Sequence, residues 1–267
     1  MVSFVATPIG NLKDISLRAL ETLKEADVIF CEDTRHTIKL LNAYEIRKPL
    51  YACHKFNEKE AAEMILAASR RGEKVVVVSD AGTPVVSDPG NLVCRILREH
   101  GQAYTVIPGA CAFLSALVLS ALPADRFAFI GFLPDKKSEK KALLEKYKEF
   151  DSTLLFHCAP QDIDKDVATM YEVFGERNAC AVREITKIHE ESLPFLLSQG
   201  LQGEKRGEYV LVVEGAKEKE NPLCALSEKE HILYYIRQGM EKKEALKKAA
   251  KDRGVSKSDL YPFALDL

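Results

Sequence analysis

The stretch VVVVSDAGTPVVSDPG, Val75 to Gly90, decides how the chain is read. Four consecutive valines carry no polar alternation, so the strand they form must be covered on both faces, as in the centre of a parallel α/β sheet. The polar turn after them sits where such sheets bind ligands, at the carboxyl end of a strand. Gly82 can adopt positive φ and let a ligand approach the backbone, Pro84 stiffens the turn, and Asp88 is expected to cap a helix begun by Pro89. The motif is neither G-x-G-x-x-G nor G-x-x-x-x-G-K-[ST]. From these residues alone, two ordinary turns and a ligand loop both stay open.

The flanking sequence repeats the same alternation of short β-branched runs and amphipathic stretches. VSFVA reads as a strand, ISLRALETLKEA as a helix with Ile15, Ala19, Leu20 and Leu23 on one face, and DVIFC as a strand. EAAEMILAASRRG and NLVCRILREHG read as helices stopped by Gly72 and Gly101. After AYTVIPG and ACAFLSALVLSAL the pattern restarts at PADRFAFIGFLPDKK, which places a domain boundary between residues 122 and 123. STLLFHC, NACAVRE and EYVLVVEG then read as strands of a second α/β unit, residues 123–216, with mixed or antiparallel pairing. From 217 to 267 a charged linker, AKEKENP, leads into three short helices.

Composition narrows the function classes. At 267 residues, 46% hydrophobic and 29% charged, the chain has the make-up of a folded globular protein. A net charge of -2 argues against non-specific coating of nucleic acid and leaves room for a local basic patch. The tail supplies one, with Lys242, Lys243, Lys247, Lys248, Lys251, Arg253 and Lys257 against Glu244 and Asp252; it reads as a solvated helix face or as a helix-turn-helix-like RNA or DNA contact. The seven cysteines are scattered without C-x-x-C spacing, and the histidines form no H-x-x-x-H pair, so free thiols and no metal site are expected. Without a basic n-region and long apolar segment, a secretory signal is not expected, and a cytoplasmic protein is. No G-x-S-x-G motif supports a hydrolase triad.

Other strand ends carry turn-forming or reactive residues. ATPIGNLKDIS places Pro8, Gly10 and Asn11 after the first strand, and YTVIPGAC places Pro108 and Gly109 before small residues. CEDTRHT ends the second strand in Glu32, Asp33 and Arg35, a set suited to a surface ion pair, to binding a polar substrate, or to moving a proton, with Glu32 and Asp33 as candidate bases by chemical type. VREITK brings Arg183, Glu184 and Lys187 together as a salt-bridge cluster or a site lining. Several such ends at one sheet edge favour a ligand crevice over isolated turns.

The ordered set TPIGNLKDIS, EDTRHT, SDAGTPVVSDPG, VIPGACAFLSAL, VREITK and GEYVLVVEG resembles the rRNA (cytidine-2'-O-)-methyltransferase branch of the tetrapyrrole methylase superfamily, from residue 2 to about 215. The resemblance implies a two-domain, class III methyltransferase fold of α/β type with a small helical C-terminal appendage, a homodimer, S-adenosylmethionine as cofactor and small-subunit ribosomal RNA as partner. It implies cofactor contacts for Pro8, Asp80, Gly82, Thr83, Val86, Cys111, Ala112, Phe156, Val182 and Glu208. The family more often reads ARELTK where Val182 and Ile185 stand here. On chemical type, Arg183, Glu184 and Lys187 are assigned to the reaction, and Glu32, Asp33 and Arg35 with Lys247, Lys248 and Lys251 to the substrate. Two rivals stand beside this reading: a tetrapyrrole methyltransferase of the same superfamily, and a non-catalytic protein that binds RNA or a ligand.

Overall fold

The computed structural model describes residues 1–217, 222–265 and 267, so most of the expected linker, residues 218–221, lies outside the described residues. The chain forms two compact units, Met1–Ala216 and Lys217–Leu267.

The first unit holds two five-stranded sheets. Strands β1 (Val2–Val5), β2 (Val28–Cys31), β3 (Leu50–Ala52), β4 (Val75–Val78) and β5 (Tyr104–Ile107) pair in the order β3-β2-β4-β1-β5, all parallel. Successive side chains on a strand point to opposite faces. Val75 and Val77 therefore pack with Phe4 and Phe30 beneath α3 (Glu58–Arg70) and α4 (Asn91–Glu99), through Ile65, Val93 and Leu97. Val76 and Val78 pack on the other face against α1 (Leu17–Glu25) and α2 (Thr34–Ala43), through Leu23 and Leu41. Two covered faces are why β4 is apolar at every position.

Helix α5 (Ala112–Ser120) comes after β5 yet covers the second sheet, where Ala116 and Leu117 are buried with Leu155, Val182, Val210 and Val212. That sheet has β6 (Phe127–Phe132), β7 (Thr153–Cys158), β8 (Asn178–Arg183), β9 (Glu191–Leu196) and β10 (Tyr209–Val213) in the order β6-β7-β10-β8-β9. Only β6 and β7 run parallel; the other pairs are antiparallel. Its far face packs Leu154, Phe156 and Leu211 on α6 (Lys137–Glu145) and α7 (Ile163–Phe174). Two strands escape the sequence pattern for local reasons. β3 is three residues long with Tyr51 exposed, and β9 is an edge strand carrying Pro194, which needs no ladder partner there.

In the second unit α8 (Glu228–Arg237) and α10 (Lys257–Leu260) each begin with a capping box, Ser227 with Glu230 and Ser256 with Asp259. With α9 (Lys242–Asp252) they bury Ile232, Tyr235, Leu246 and Leu260. Arg253 is held by the His231 Nδ1 at 3.1 Å and by Glu228 at 3.4 Å, and the Lys248 ammonium lies 4.7 Å from the Tyr235 ring centre. Lys243, Lys247 and Lys251 remain exposed at four-residue spacing, one stripe along α9. Among the described residues no helix is long and apolar enough to cross a membrane.

Candidate functional site

The loop after β4 is shaped by backbone strain and one cross-strand contact. Gly82, at φ 78°, exchanges hydrogen bonds with Thr7 at the end of β1, its N–H donating at 3.0 Å and its carbonyl accepting at 2.9 Å. Val85 (φ 78°) and Ser87 (φ 67°) also occupy the left-handed region. Non-glycine residues there cost about 1–3 kcal/mol each and persist where the surroundings over-determine them. Asp88 does not cap the next helix. The Glu58 carboxylate of α3 does, accepting from the N–H groups of Gly90 and Leu92 at 2.8 Å each. That frees the Asp88 side chain to line a cavity.

The cavity, about 370 Å³, lies between the carboxyl ends of first-sheet strands and, on the mixed second sheet, the carboxyl ends of β6 and β7 beside the amino end of β10. Its first-sheet wall is Ile9, Gly82, Thr83, Val86 and Asp88, its floor Cys111 and Ala112, and its second-sheet wall Phe132, His157, Cys158, Ile185 and Glu208. Of the residues expected to contact a cofactor, Gly82, Thr83, Val86, Cys111, Ala112 and Glu208 are brought together here. The others stand elsewhere. Pro8 is buried beside the wall residue Ile9, and the Asp80 Oδ1 accepts from the Asp33 N–H at 3.1 Å. Phe156 and Val182 are fully buried on opposite faces of the second sheet, in the α6–α7 layer and the α5 layer. A one-residue step along a strand changes faces, so β7 presents His157 to the cavity where Phe156 was expected.

The charged clusters divide by environment. Arg35 grips the Asp33 carboxylate through two nitrogens, at 3.1 and 2.7 Å, and these hydrogen bonds hold its pKa down at about 2. Asp33 also caps α2, so the pair is locally satisfied on an exposed surface. Burial pushes the Asp88 carboxyl up from its usual 3.8; the Ser79 hydroxyl opposes this and the Asp80 charge adds to it. Glu32 is raised likewise, first by burial and then by Asp88 and Asp80.

Across the cleft, Lys187 Nζ bridges Glu184 Oε1 at 3.0 Å and Glu208 Oε2 at 2.9 Å. Glu184 also accepts from the Glu208 N–H at 3.0 Å, and these bonds, the backbone one first, hold its carboxyl below the ordinary range. Burial would lower the Lys187 ammonium, but Glu208 and Glu184 outweigh it and raise it. Arg183 pairs with Glu191 on β9 at 2.8 Å. The turn leans on the first sheet: Thr186 accepts from the Asn11 N–H at 2.9 Å, and a Cβ on Gly10 would fall 2.7 Å from Lys187 and Thr186. Among the described residues no His, Cys, Asp and Glu group is placed to hold a metal ion.

Two α/β sheets meeting edge to edge over one cavity, with an SDAGTP loop on its wall, correspond to a family model that matches residues 1–200, that of the Tetrapyrrole (Corrin/Porphyrin) Methylases. The chain belongs to this family. Its relatives include the ribosomal RNA small subunit methyltransferase I of Bacillus subtilis (strain 168), 40% identical over 96% of this chain and 91% of that one. The protein of the same name from Halalkalibacterium halodurans is 41% identical over 96% and 92%. Among solved structures, the uroporphyrin-III C-methyl transferase of Thermus thermophilus complexed with S-adenyl homocysteine aligns with a TM-score of 0.55 at 19% identity. That alignment covers 79% of this chain and 96% of that one, a likeness of fold. This methylase has the family's two-sheet α/β architecture together with a helical C-terminal unit.

Proposed function

We propose that the chain transfers the methyl group of S-adenosylmethionine to the ribose 2'-hydroxyl of a cytidine in small-subunit ribosomal RNA. The observation that carries the reading is the extent of the likeness. The family model ends at residue 200, whereas the relatives named as ribosomal RNA methyltransferases match 96% of the chain and so take in the helical unit. A methylase acting on a tetrapyrrole gives no reason for that unit or for its exposed lysine stripe.

The cavity fits the cofactor. Its volume falls in the ~300–1,000 Å³ range of small-molecule sites, its small walls at Gly82 and Ala112 admit close approach, and the carboxylates of Asp88 and Glu208 suit a cationic ligand. Bound there, S-adenosylmethionine supplies an electrophilic methyl carbon on a positively charged sulfur. Thr83, Val86 and Cys111 hold that ligand from the first sheet and α5, while Pro8 and Asp80 shape the loops behind them. Phe156 and Val182 support the second-sheet wall from within the core.

Attack by a hydroxyl requires in-line positioning and removal of its proton. We assign proton acceptance to Asp88, a cavity carboxylate whose raised pKa makes it a better base than an ordinary aspartate. Glu184 is the poorer base, since the two hydrogen bonds its Oε1 accepts hold its pKa below the ordinary range. It holds Lys187, which ties the turn to Glu208 on the cavity wall; Arg183, tied to Glu191, steadies the same turn. Glu32, Asp33 and Arg35 contribute to the substrate rim, and Lys247, Lys248 and Lys251 to phosphate contacts on α9. Acting on ribosomal RNA, the protein is expected in the cytoplasm.

A homodimer is part of the same reading. Leu114 and Val118, one turn apart on α5, and Val106 on the edge strand β5 are exposed, Val118 at 78%. A second copy would cover them. Val118→Glu is expected to convert a sedimenting dimer to monomer; a monomeric unsubstituted protein at micromolar concentration would contradict the dimer.

The activity is tested by tritium transfer from labelled S-adenosylmethionine to small ribosomal subunits from a strain lacking the protein, with a tetrapyrrole as the alternative acceptor. Label in the ribosomal RNA is expected. Label in the tetrapyrrole alone would favour the rival enzyme, and calorimetry showing no cofactor binding would favour the non-catalytic one.

A further inference from the structure

Strand β6 departs from regular pairing in one place. Its register against β7 shifts between Phe129 and Gly131, and Gly131 takes φ 80°. Residues three apart on a regular strand face opposite sides. The extra residue of a bulge cancels that inversion and re-aims the side chains beyond it. Here it turns Phe132 to the side that Phe129 already occupies, and both rings flank His157 on β7, with centroids at 5.2 and 5.0 Å. Phe113 stacks on Phe129 at 4.2 Å, completing a row of rings that runs from the α5 floor to the rim. Phe132 is the outermost ring, 62% exposed yet part of the cavity lining. Among the described residues neither His157 ring nitrogen is engaged in a hydrogen bond, and burial keeps the imidazole toward its neutral form.

We infer that Phe132 and His157 form a stacking platform for the nucleobase of the acceptor nucleotide, drawn out of the RNA as its ribose enters the cleft. The inference rests on the proposed RNA methylation and adds a subsite to it. An open, planar aromatic surface matches the π-face of a base and little else that RNA presents. Sequence-specific RNA recognition targets single-stranded bases that are splayed out and stacked on aromatic side chains. A cavity of 370 Å³ is at the small end for ligand sites. It accommodates one cofactor-sized group, which leaves the rim ring for the second reactant. The purine of the cofactor has the same chemistry as an RNA base, so the test must separate the two.

The full-length protein and the variants Phe132→Ala, Phe132→Leu and Phe132→Tyr are compared by calorimetric S-adenosylmethionine affinity and by kcat/KM for small ribosomal subunits at saturating cofactor. Stacking lost by truncation is expected to lower kcat/KM about 5- to 150-fold. Leucine, apolar but not planar, should fall with alanine, tyrosine should restore the rate, and cofactor affinity should stay unchanged in all three. Full activity in Phe132→Leu would overturn the platform, because mere apolar cover would then suffice. Weakened cofactor binding with unchanged kcat/KM for subunits would overturn it differently, assigning the ring to the cofactor's purine. Wild-type protein that binds cofactor but labels no subunit RNA would remove the RNA reading and the platform together, whereas an active wild type with an equally active leucine variant removes the platform alone.

Discussion

Replacing Asp88 with asparagine is expected to lower kcat for methyl transfer by about 10²- to 10⁴-fold, the usual contribution of a positioned general base. Asparagine keeps the shape and hydrogen-bonding reach of the side chain but cannot take the proton, so the loss should fall on kcat more than on KM. The sign of the pKa shift sets the pH dependence. Asp88 must be ionised to act, and burial raises its pKa from the usual 3.8. Activity is therefore retained above the folded-state pKa and lost as pH falls through it, with the acid limb displaced upward from an ordinary aspartate. That limb should vanish in Asp88→Asn. A variant retaining a third or more of kcat would transfer the role to another group, Glu32 being the nearest in kind because burial raises it too.

Lys140→Met is expected to cost about 3–5 kcal/mol of stability, because breaking a buried ion pair leaves the other charge uncompensated. Lys140 on α6 and Asp166 on α7 are each 4% exposed and paired directly, Lys140 Nζ to Asp166 Oδ1. The second carboxylate oxygen accepts from the Cys158 thiol at 3.2 Å, and Cys158 lines the cavity. The pair thus anchors the β7 end that forms one wall of the site. At about 2–4 °C per kcal/mol for a domain of this size, the thermal midpoint should drop by about 6–20 °C. Lys140→Met combined with Asp166→Leu should recover most of the loss, since an apolar pair removes the stranded charge. A single variant within about 1 kcal/mol of the parent protein would mean that water reaches Asp166.

Much of the fold was legible because burial leaves a simple mark on sequence. β4 needs apolar residues on both faces, and its four valines are all buried. The capping boxes at Ser227 and Ser256 announce two helices of the tail in plain S-x-x-E and S-x-x-D form. The cavity wall was legible, through the family resemblance, where the loop itself makes it, as at Gly82, Thr83 and Val86. It was illegible where position depends on distant chain. Asp88 looks like a helix cap until Glu58, from another helix, is found in that place. His157 differs from Phe156 only in the face it presents, and a strand buried on both sides gives no apolar–polar alternation to fix the register. Phe132 reaches the cavity through a bulge at Gly131, a single residue of irregular pairing. The REITK turn offered three charged groups, but only their mutual hydrogen bonds tell that Glu184 and Lys187 satisfy each other.

Locating the methyl group decides whether this cavity methylates a ribose of small-subunit RNA. Small subunits from a strain lacking the protein are incubated with the purified enzyme and S-adenosylmethionine, and their RNA is digested to nucleosides for mass spectrometry. One gained methyl is expected, on the 2'-oxygen of a cytidine, absent when Asp88→Asn replaces the active protein. A methyl found on a base, or none gained by an enzyme that binds its cofactor, would contradict it.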